Sequence, residues 1–330
     1  MTMNELFLGI DTSNYTTSLC LSDGDGVIVA ESKRLLPVAE NACGLRQSDA
    51  LFCHVKALPI LAKTLFDTAH GKGYSQSDIA AVGYSARPRD KEGSYMPCFL
   101  AGESVAVTLA AALGIDCFDF SHQAGHISAA VHTCGGNVGK THGKFISFHV
   151  SGGTTEILLT EKFGATYSCD IIGGTLDLNA GQAIDRTGVA MELSFPCGRE
   201  MDSMSQKSER VFSNAELKVS VKDGFINLAG LENMAKKMIE NGEPHEDICR
   251  FVFSFIAKSL KMACIQARDK VGNLPVCFAG GVMSNTLIRG ELCSLGDVFF
   301  AKPEYSCDNA YGISLLTRNA YVLKTQGDKQ

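Results

Sequence analysis

LFLGIDTSNYTTSLCLSD, residues 6–23, reads as an apolar strand, a polar turn carrying Thr16 and Thr17, and a second, alternating strand. FISFHVSGGTTEILLTE, residues 145–161, repeats the plan, its polar turn ending in Thr154 and Thr155. A repeat at such long range implies two related domains rather than a short-period solenoid. Each half then continues into further strands and helices. IAAVGYS (79–85) predicts a strand and GESVAVTLAAAL (102–113) a helix. Residues 247–271 predict a long amphipathic helix with Ile248, Phe251, Val252, Phe255, Ile256 and Leu260 on one stripe. LPVCFAGGVMSN (274–285) predicts a strand, a Gly-Gly turn and a helix start. Strands alternating with helices argue for the α/β class, with ligands at the loops where strands end. GGNVGKTHGK sets the boundary near residue 140, giving domains 1–140 and 141–330. If both share one plan, the cleft between them is the expected active site.

At 330 residues, with 45% hydrophobic and 20% charged side chains, the chain suits two ordinary globular domains. The net charge of −6 excludes bulk electrostatic binding of nucleic acid; such contact needs a local patch or a partner. The segment MTMNELFLGIDTS shows no basic stretch followed by a long apolar run, and no stretch is long enough to span a membrane. A cytoplasmic protein is expected. The 13 cysteines are dispersed, with no C-x-x-C, so buried reduced thiols are expected rather than a disulfide scaffold or zinc ribbon.

SHQAGHISAAVH (121–132) holds three of the chain's eight histidines. His122 and His126, at i and i+4, project from one helical face and can chelate a single metal. Such a pair also arises on a solvated helix face, so a third ligand must decide. His132 points about 120° away from His126 on an ideal helix and is a poor co-ligand. Gln123 follows His122, so the pair lacks the general base of an H-E-x-x-H protease.

Three further segments carry chemistry. The turn Ser151, Gly152, Gly153, Thr154, Thr155 suits a phosphate cradle, because glycines let backbone N–H groups approach an anion and hydroxyls add donors. A plain Gly-Gly hairpin turn is the competing reading. GGTLDLNAGQAIDRTG (173–188) carries Asp177 and Asp185, which lie within about 80° on neighbouring faces if the segment is helical. PEYSCDNAYGISLL (303–316) has Asp308 before a helix, either as an N-cap or as the third ligand of a His, His, Asp set suited to Fe or Zn. Two hydroxyl-rich hairpins followed by a strand–Gly-Gly–helix element resemble the layout of the sugar kinase, Hsp70 and actin ATPases. An actin-like fold is therefore expected, with two related domains of mixed sheets flanked by helices.

GIDTS, SHQAGH, VSGGTT, GGTLDLNAGQAIDR, FPCG, AGGVMSN and YSCDNAYGI stand in the order and approximate spacing of the TsaD family, formerly called glycoproteases. The resemblance spans nearly the whole chain. It implies an enzyme that transfers threonylcarbamoyl from threonylcarbamoyl-adenylate to N6 of a tRNA adenosine. It places one divalent metal, Fe or Zn, on His122, His126 and Asp308. It places the adenylate, or an ATP-type nucleotide, on Ser151–Thr155, Asp185, Gly198, Asp202 and Asn285. It implies tRNA as acceptor, and either partner proteins of a tRNA-modification complex or a homodimer.

Several residues depart from the family pattern. SGGTTE replaces the usual SGGHTQ, adding Glu156 near the expected phosphate; DTS replaces ETS; and Ala124 stands where a Glu is usual. SARPRDKEGSYMPCF (85–99), with Arg87, Arg89 and Lys91, replaces a GPGL-type turn and reads as a solvated loop. These changes mark a divergent member. Two other functions compete with the transferase: a kinase or ATPase of the same superfamily, needing only carboxylates for Mg²⁺, and a non-catalytic scaffold paired with a true family enzyme. A peptidase is the weakest reading.

Overall fold

The strand Leu6–Asp11 is buried at every position, because helices cover both faces of its sheet. The computed structural model describes residues 5–13, 15–37, 46–135, 138, 143–305 and 310–327. In chain order the elements begin with β1 (Leu6–Asp11), β2 (Thr16–Asp23), β3 (Ile28–Leu35), α1 (Gln47–Gly71), β4 (Ile79–Arg87), α2 (Phe99–Leu113), β5 (Asp116–Ser121) and α3 (His122–Thr133). There follow β6 (Lys144–Val150), β7 (Thr155–Phe163), β8 (Thr166–Thr175), α4 (Ala180–Ala190), α5 (Gly198–Ser205), β9 (Ser220–Lys222), β10 (Phe225–Asn227) and α6 (Ala229–Glu240). The last are α7 (His245–Val271), β11 (Val276–Ala279), α8 (Thr286–Cys293), β12 (Val298–Phe300) and α9 (Tyr311–Gly327). Two compact units result: residues 1–132, 162–168 and 307–330, and residues 133–161 and 169–306.

In the first unit the sheet order is β3-β2-β1-β4-β5, with β1–β2 and β2–β3 antiparallel and β1–β4 and β4–β5 parallel. Side chains alternate across the pleat. Leu6, Leu8 and Ile10 pack with Leu58, Leu61 and Leu65 of α1 and Ala106 of α2. Phe7 turns the other way, onto Tyr321 of α9 at 5.6 Å between ring centres. A Cβ at Gly9 would strike the α9 approach at Ala310 and Ser314, so α9 sits directly on the sheet. The cut at 140 read from the sequence puts this last helix in the second half, whereas it packs on β1 and β4 of the first unit.

The second sheet runs β12-β11-β6-β7-β8-β10-β9. Its five strands β8-β7-β6-β11-β12 repeat the order of the first sheet, with β6–β7 antiparallel and β6–β11 and β11–β12 parallel. The two-hairpin repeat seen in the sequence is thus the visible part of a repeated sheet. The long helix α7 supplies its core: Ile248, Phe251, Val252, Phe255, Ile256 and Leu260 are all buried, as their stripe predicts. Each such side chain contributes about 1.5–3 kcal/mol relative to exposure. Arg268, in its last turn, donates to the carbonyls of Leu274, Leu295 and Gly296, anchoring the helix end.

One polar contact inside the first unit has a measurable consequence. His54 of α1 is fully buried, with Nδ1 2.8 Å from Thr17 Oγ1 of β2, and Nε2 has no hydrogen-bond partner among the described residues. Burial pushes its pKa down to about 4, against the upward pull of Asp11. The folded chain therefore keeps this imidazole neutral, while the unfolded chain titrates near 6.5. Between about pH 6.5 and 4 the unfolded state binds a proton the native state refuses, so stability falls as pH drops through that window. Thermal unfolding followed from pH 7 to pH 5 should show this fall, and His54→Gln should make it shallower. Identical slopes in both proteins would contradict the assignment.

Candidate functional site

In the first unit, the end of β1 meets the start of α3 at a buried carboxylate. Asp11 accepts from Ser13 Oγ at 2.8 Å, from Ser85 Oγ of β4, and from His122 Nδ1 at 3.2 Å. The adjacent Thr12 accepts from the N–H of Gly102 at 3.2 Å and donates to the carbonyl of Cys98 at 3.1 Å, which ties the same turn to α2. With its Nδ1–H given to Asp11, His122 presents a lone pair at Nε2. His126, one turn later, brings its own Nε2 to 2.9 Å from that atom. His132 lies elsewhere, edge-on to Tyr311 at 5.8 Å, as its angular offset from His126 predicts.

The start of α3 is held by the segment that follows β4. Ser121 Oγ accepts from the N–H of Ala124 at 3.2 Å and donates to Asp90 at 2.7 Å, while the N–H of Gln123 donates to the carbonyl of Pro88 at 3.0 Å. Arg87 bonds Asp90 at 2.7 Å and Asp119 at 2.6 Å. Residues 85–99, expected as a solvated loop, are instead stitched to the histidine helix, although Lys91 is exposed. Gly125 completes the packing. A Cβ at Gly312 would overlap the Gly125 carbonyl, and one at Gly125 would reach Ile313 at 2.9 Å, so the two glycines let α3 and α9 cross.

This arrangement fits a metal. At bond lengths of about 2.0–2.1 Å, two imidazole nitrogens on one ion stand roughly 2.9–3.4 Å apart. The two Nε2 atoms meet that spacing, and Asp11 supplies the outer hydrogen bond that fixes the His122 tautomer. Among the described residues no group of three His, Cys, Asp or Glu side chains forms a complete metal set. Asp308, the expected third ligand, lies outside the described residues.

The second unit contains a cavity of about 440 Å³. Gly152, Asp185, Gly198, Asp202 and Asn285, five of the nine expected nucleotide contacts, line it. Ser151, Gly153, Thr154 and Thr155 do not line it. The Ser151 and Thr154 backbones close a tight turn, with the N–H of Ser151 on the Thr154 carbonyl at 2.7 Å. Thr155 Oγ1 accepts from the N–H of Ala180 at 3.0 Å, and Asn179 Nδ2 donates to the Gly153 carbonyl at 3.0 Å. The turn is thereby seated on the start of α4. Gly181 makes that seat possible, because a Cβ there would fall 2.6 Å from the Gly152 Cα.

The acids of the cavity are held in place. Asp185 accepts from the N–H of Cys197 at 2.9 Å. Asp202 accepts from Asn285 Nδ2 at 2.6 Å, and Asn285 Oδ1 in turn caps α8 through the N–H of Ile288 at 2.9 Å. Asp177 does not share a helix with Asp185. It precedes α4 and accepts from the N–H groups of Leu228 at 2.8 Å and Leu178 at 2.6 Å. Partial burial alone would raise its pKa, but these bonds outweigh it and hold the group below its ordinary value. Glu156 lies within β7, opposite His149 of β6, rather than in the glycine turn.

Sequence reasoning missed Arg199, Phe253 and Gly181 as cavity residues. Arg199 stands between Gly198 and Asp202 at the start of α5, a position that only their assignment to one wall would have flagged. Its exposed guanidinium has no hydrogen-bond or ion-pair partner among the described residues.

Removing the outer support of the histidine pair should weaken metal binding without removing a ligand. Asp11→Asn is expected to lower affinity for Zn²⁺ or Fe²⁺ by about 10–100-fold, measured by chelator competition. His126→Ala should abolish stoichiometric binding. Unchanged affinity in both variants would show that the pair holds no metal.

The fold is that of the actin-like ATPases. The chain resembles component A of the (R)-2-hydroxyglutaryl-CoA dehydratase of Acidaminococcus fermentans, with 15% identity, a TM-score of 0.54, and coverage of 96% of this chain and 98% of that one. It also resembles the activator of the 2-hydroxyisocaproyl-CoA dehydratase of Clostridium difficile with bound ADPNP, at 13% identity, a TM-score of 0.55 and 98% coverage of both chains. The ROK family glucokinase of Streptomyces griseus, in complex with glucose and AMPPNP, matches at 11% identity and a TM-score of 0.50, covering 94% of this chain and 98% of that one. At such identities these likenesses show the fold alone. Family membership comes from the sequence: residues 44–315 match the model of TsaD, tRNA N6-adenosine threonylcarbamoyltransferase, and the chain belongs to that family.

Proposed function

We propose that the protein transfers a threonylcarbamoyl group from threonylcarbamoyl-adenylate to N6 of a tRNA adenosine. The observation that carries this reading is the cavity of the second unit. It gathers Gly152, Asp185, Gly198, Asp202 and Asn285, scattered over 134 positions, in a chain whose family performs that reaction.

The chemistry of the walls suits an adenylate. The start of α4 brings the positive end of a helix dipole beside Gly152 and Gly181, a favourable place for a phosphate. Asp185 and Asp202 supply acceptors for nucleoside hydroxyl and amino donors, and their bonds to Cys197 and Asn285 fix the direction they face. Ile184, Pro196, Phe253 and Val282 give an apolar lining suited to a base. Arg199 adds a cation that favours the anionic leaving group.

His122 and His126, with Asp308, would hold one divalent metal, Fe or Zn. When bound, it supplies Lewis-acid polarisation of a carbonyl oxygen. The chain's own part at that end is orientation: Asp11 takes the His122 Nδ1 proton, and the 85–99 segment fixes the first turn of α3. A tRNA acceptor implies a cytoplasmic protein working with partner proteins of tRNA modification or as a homodimer. Among the described residues no helix is long and apolar enough to cross a membrane.

The test is direct. Purified protein, threonylcarbamoyl-adenylate and unmodified tRNA are combined, and nucleosides from the digested tRNA are resolved by mass. Threonylcarbamoyladenosine should form with the wild type and be lost with His126→Ala. Gly181→Val, whose side chain would displace the Gly152 turn, should weaken AMP binding at least about tenfold, roughly 1.4 kcal/mol, while leaving metal content unchanged. ATP turnover without tRNA modification, and indifferent to His126→Ala, would replace the proposal with a kinase or ATPase.

A further inference from the structure

We propose that Cys134 and Cys277 are a modification site that closes into a reversible intramolecular disulfide, with a small-molecule disulfide such as oxidised glutathione as oxidant. The two residues lie 143 positions apart, yet their sulfurs are in contact at 3.4 Å. Cys277 is in β11 and only 2% exposed, whereas Cys134 is half-buried in the turn just past α3. A disulfide has a sulfur–sulfur bond of about 2.05 Å, so the pair must close by roughly 1.4 Å.

The two thiols have different environments, and this sets the order of events. Cys277 is held well above the ordinary thiol pKa by its hydrogen bond to Cys134 and by burial. Cys134 is the partner that solvent can reach. Cys134 thiolate therefore attacks one sulfur of the glutathione disulfide. A bond forms between Cys134 and one glutathionyl half, and the other half departs as a thiolate, which takes up a proton. Cys277 then loses its proton to solvent and attacks the Cys134 sulfur, releasing the second glutathione. Two protein thiols are oxidised and one glutathione disulfide is reduced to two thiols.

The position gives the bond a local consequence. β11 continues into Gly281, Val282 and Asn285, which line the cavity. Oxidation would join the turn after α3 to the strand that feeds this wall, closing a covalent loop across the second unit. The inference rests on the sulfur contact and is independent of what the cavity holds.

The full-length protein would be equilibrated over a series of reduced-to-oxidised glutathione ratios, quenched in acid, alkylated and mapped by peptide mass. The expected product is a peptide pair linked through Cys134 and Cys277, with loss of two hydrogens from the intact mass and reversal by dithiothreitol. Cys277→Ala should trap Cys134 as its glutathione adduct. Cys134→Ser should leave Cys277 a free thiol throughout, while the exposed Cys293 behaves alike in all proteins. The proposal is overturned if wild-type Cys134 stays a thiol, or if its glutathione adduct persists without linkage to Cys277. Cys134→Ser lies at a half-buried turn and keeps the test decisive even if the strand variant fails to fold.

Discussion

A carboxylate with no exposed surface is costly to fold unless every part of it is answered by hydrogen bonds. Asp11 is such a group, and among the described residues its hydrogen bonds include those to its own turn through Ser13, to β4 through Ser85, and to α3 through His122. One buried anion thus fixes the ends of two neighbouring strands and the rotation of an imidazole. The histidine pair is usable as a chelate only because this is so. Without the Nδ1 bond, His122 could place either nitrogen toward His126, and the 2.9 Å approach of the two Nε2 atoms would be one geometry among several. The glycine crossing of α3 and α9 works in the same direction, pressing the histidine helix against a rigid neighbour.

The repeated sheet has been put to different uses in its two copies. In the first unit the turn after the opening strand consumes its own hydroxyls, Thr12 on Cys98 and Ser13 on Asp11. In the second, the equivalent turn has glycines at 152 and 153, and the polar groups around it support the backbone from below, through Thr155 and Asn179. The first copy ends in an organised carboxylate and the second in an open cavity. The two copies differ in where the turn's hydrogen bonds go.

Much of this was legible from residue order. Short strand-like runs on either side of polar turns located β1, β2, β6 and β7, and a 3.6-residue stripe located α7, whose apolar face is buried. The spacing of His122 and His126 sufficed to place both rings together, since a helix enforces it. Other features needed three dimensions. The 85–99 segment looks like any polar loop; only the position of Asp90 against Ser121 and Arg87 shows that it supports α3. Arg199 carries no motif, and its place on the cavity wall depends on how α5 meets α8. Asp177 and Asp185 misled as a helical pair because capping residues start α4 at Asn179, after the first of them. A single boundary at 140 could not anticipate α9, since nothing local in residues 311–327 announces that they pack on strands three hundred positions earlier.

That return of α9 orders events during synthesis. Phe7, Gly9 and Gly83 present a bare face of the first sheet until the helix emerges from the ribosome to cover it. The second unit, by contrast, has nearly all of its sheet and its long central helix in one run of chain and can consolidate first. The first unit must then wait, partly assembled and with an apolar surface open, for its final layer. A chain that stopped before residue 311 would keep every strand and helix of the second unit yet leave this face of the first sheet uncovered.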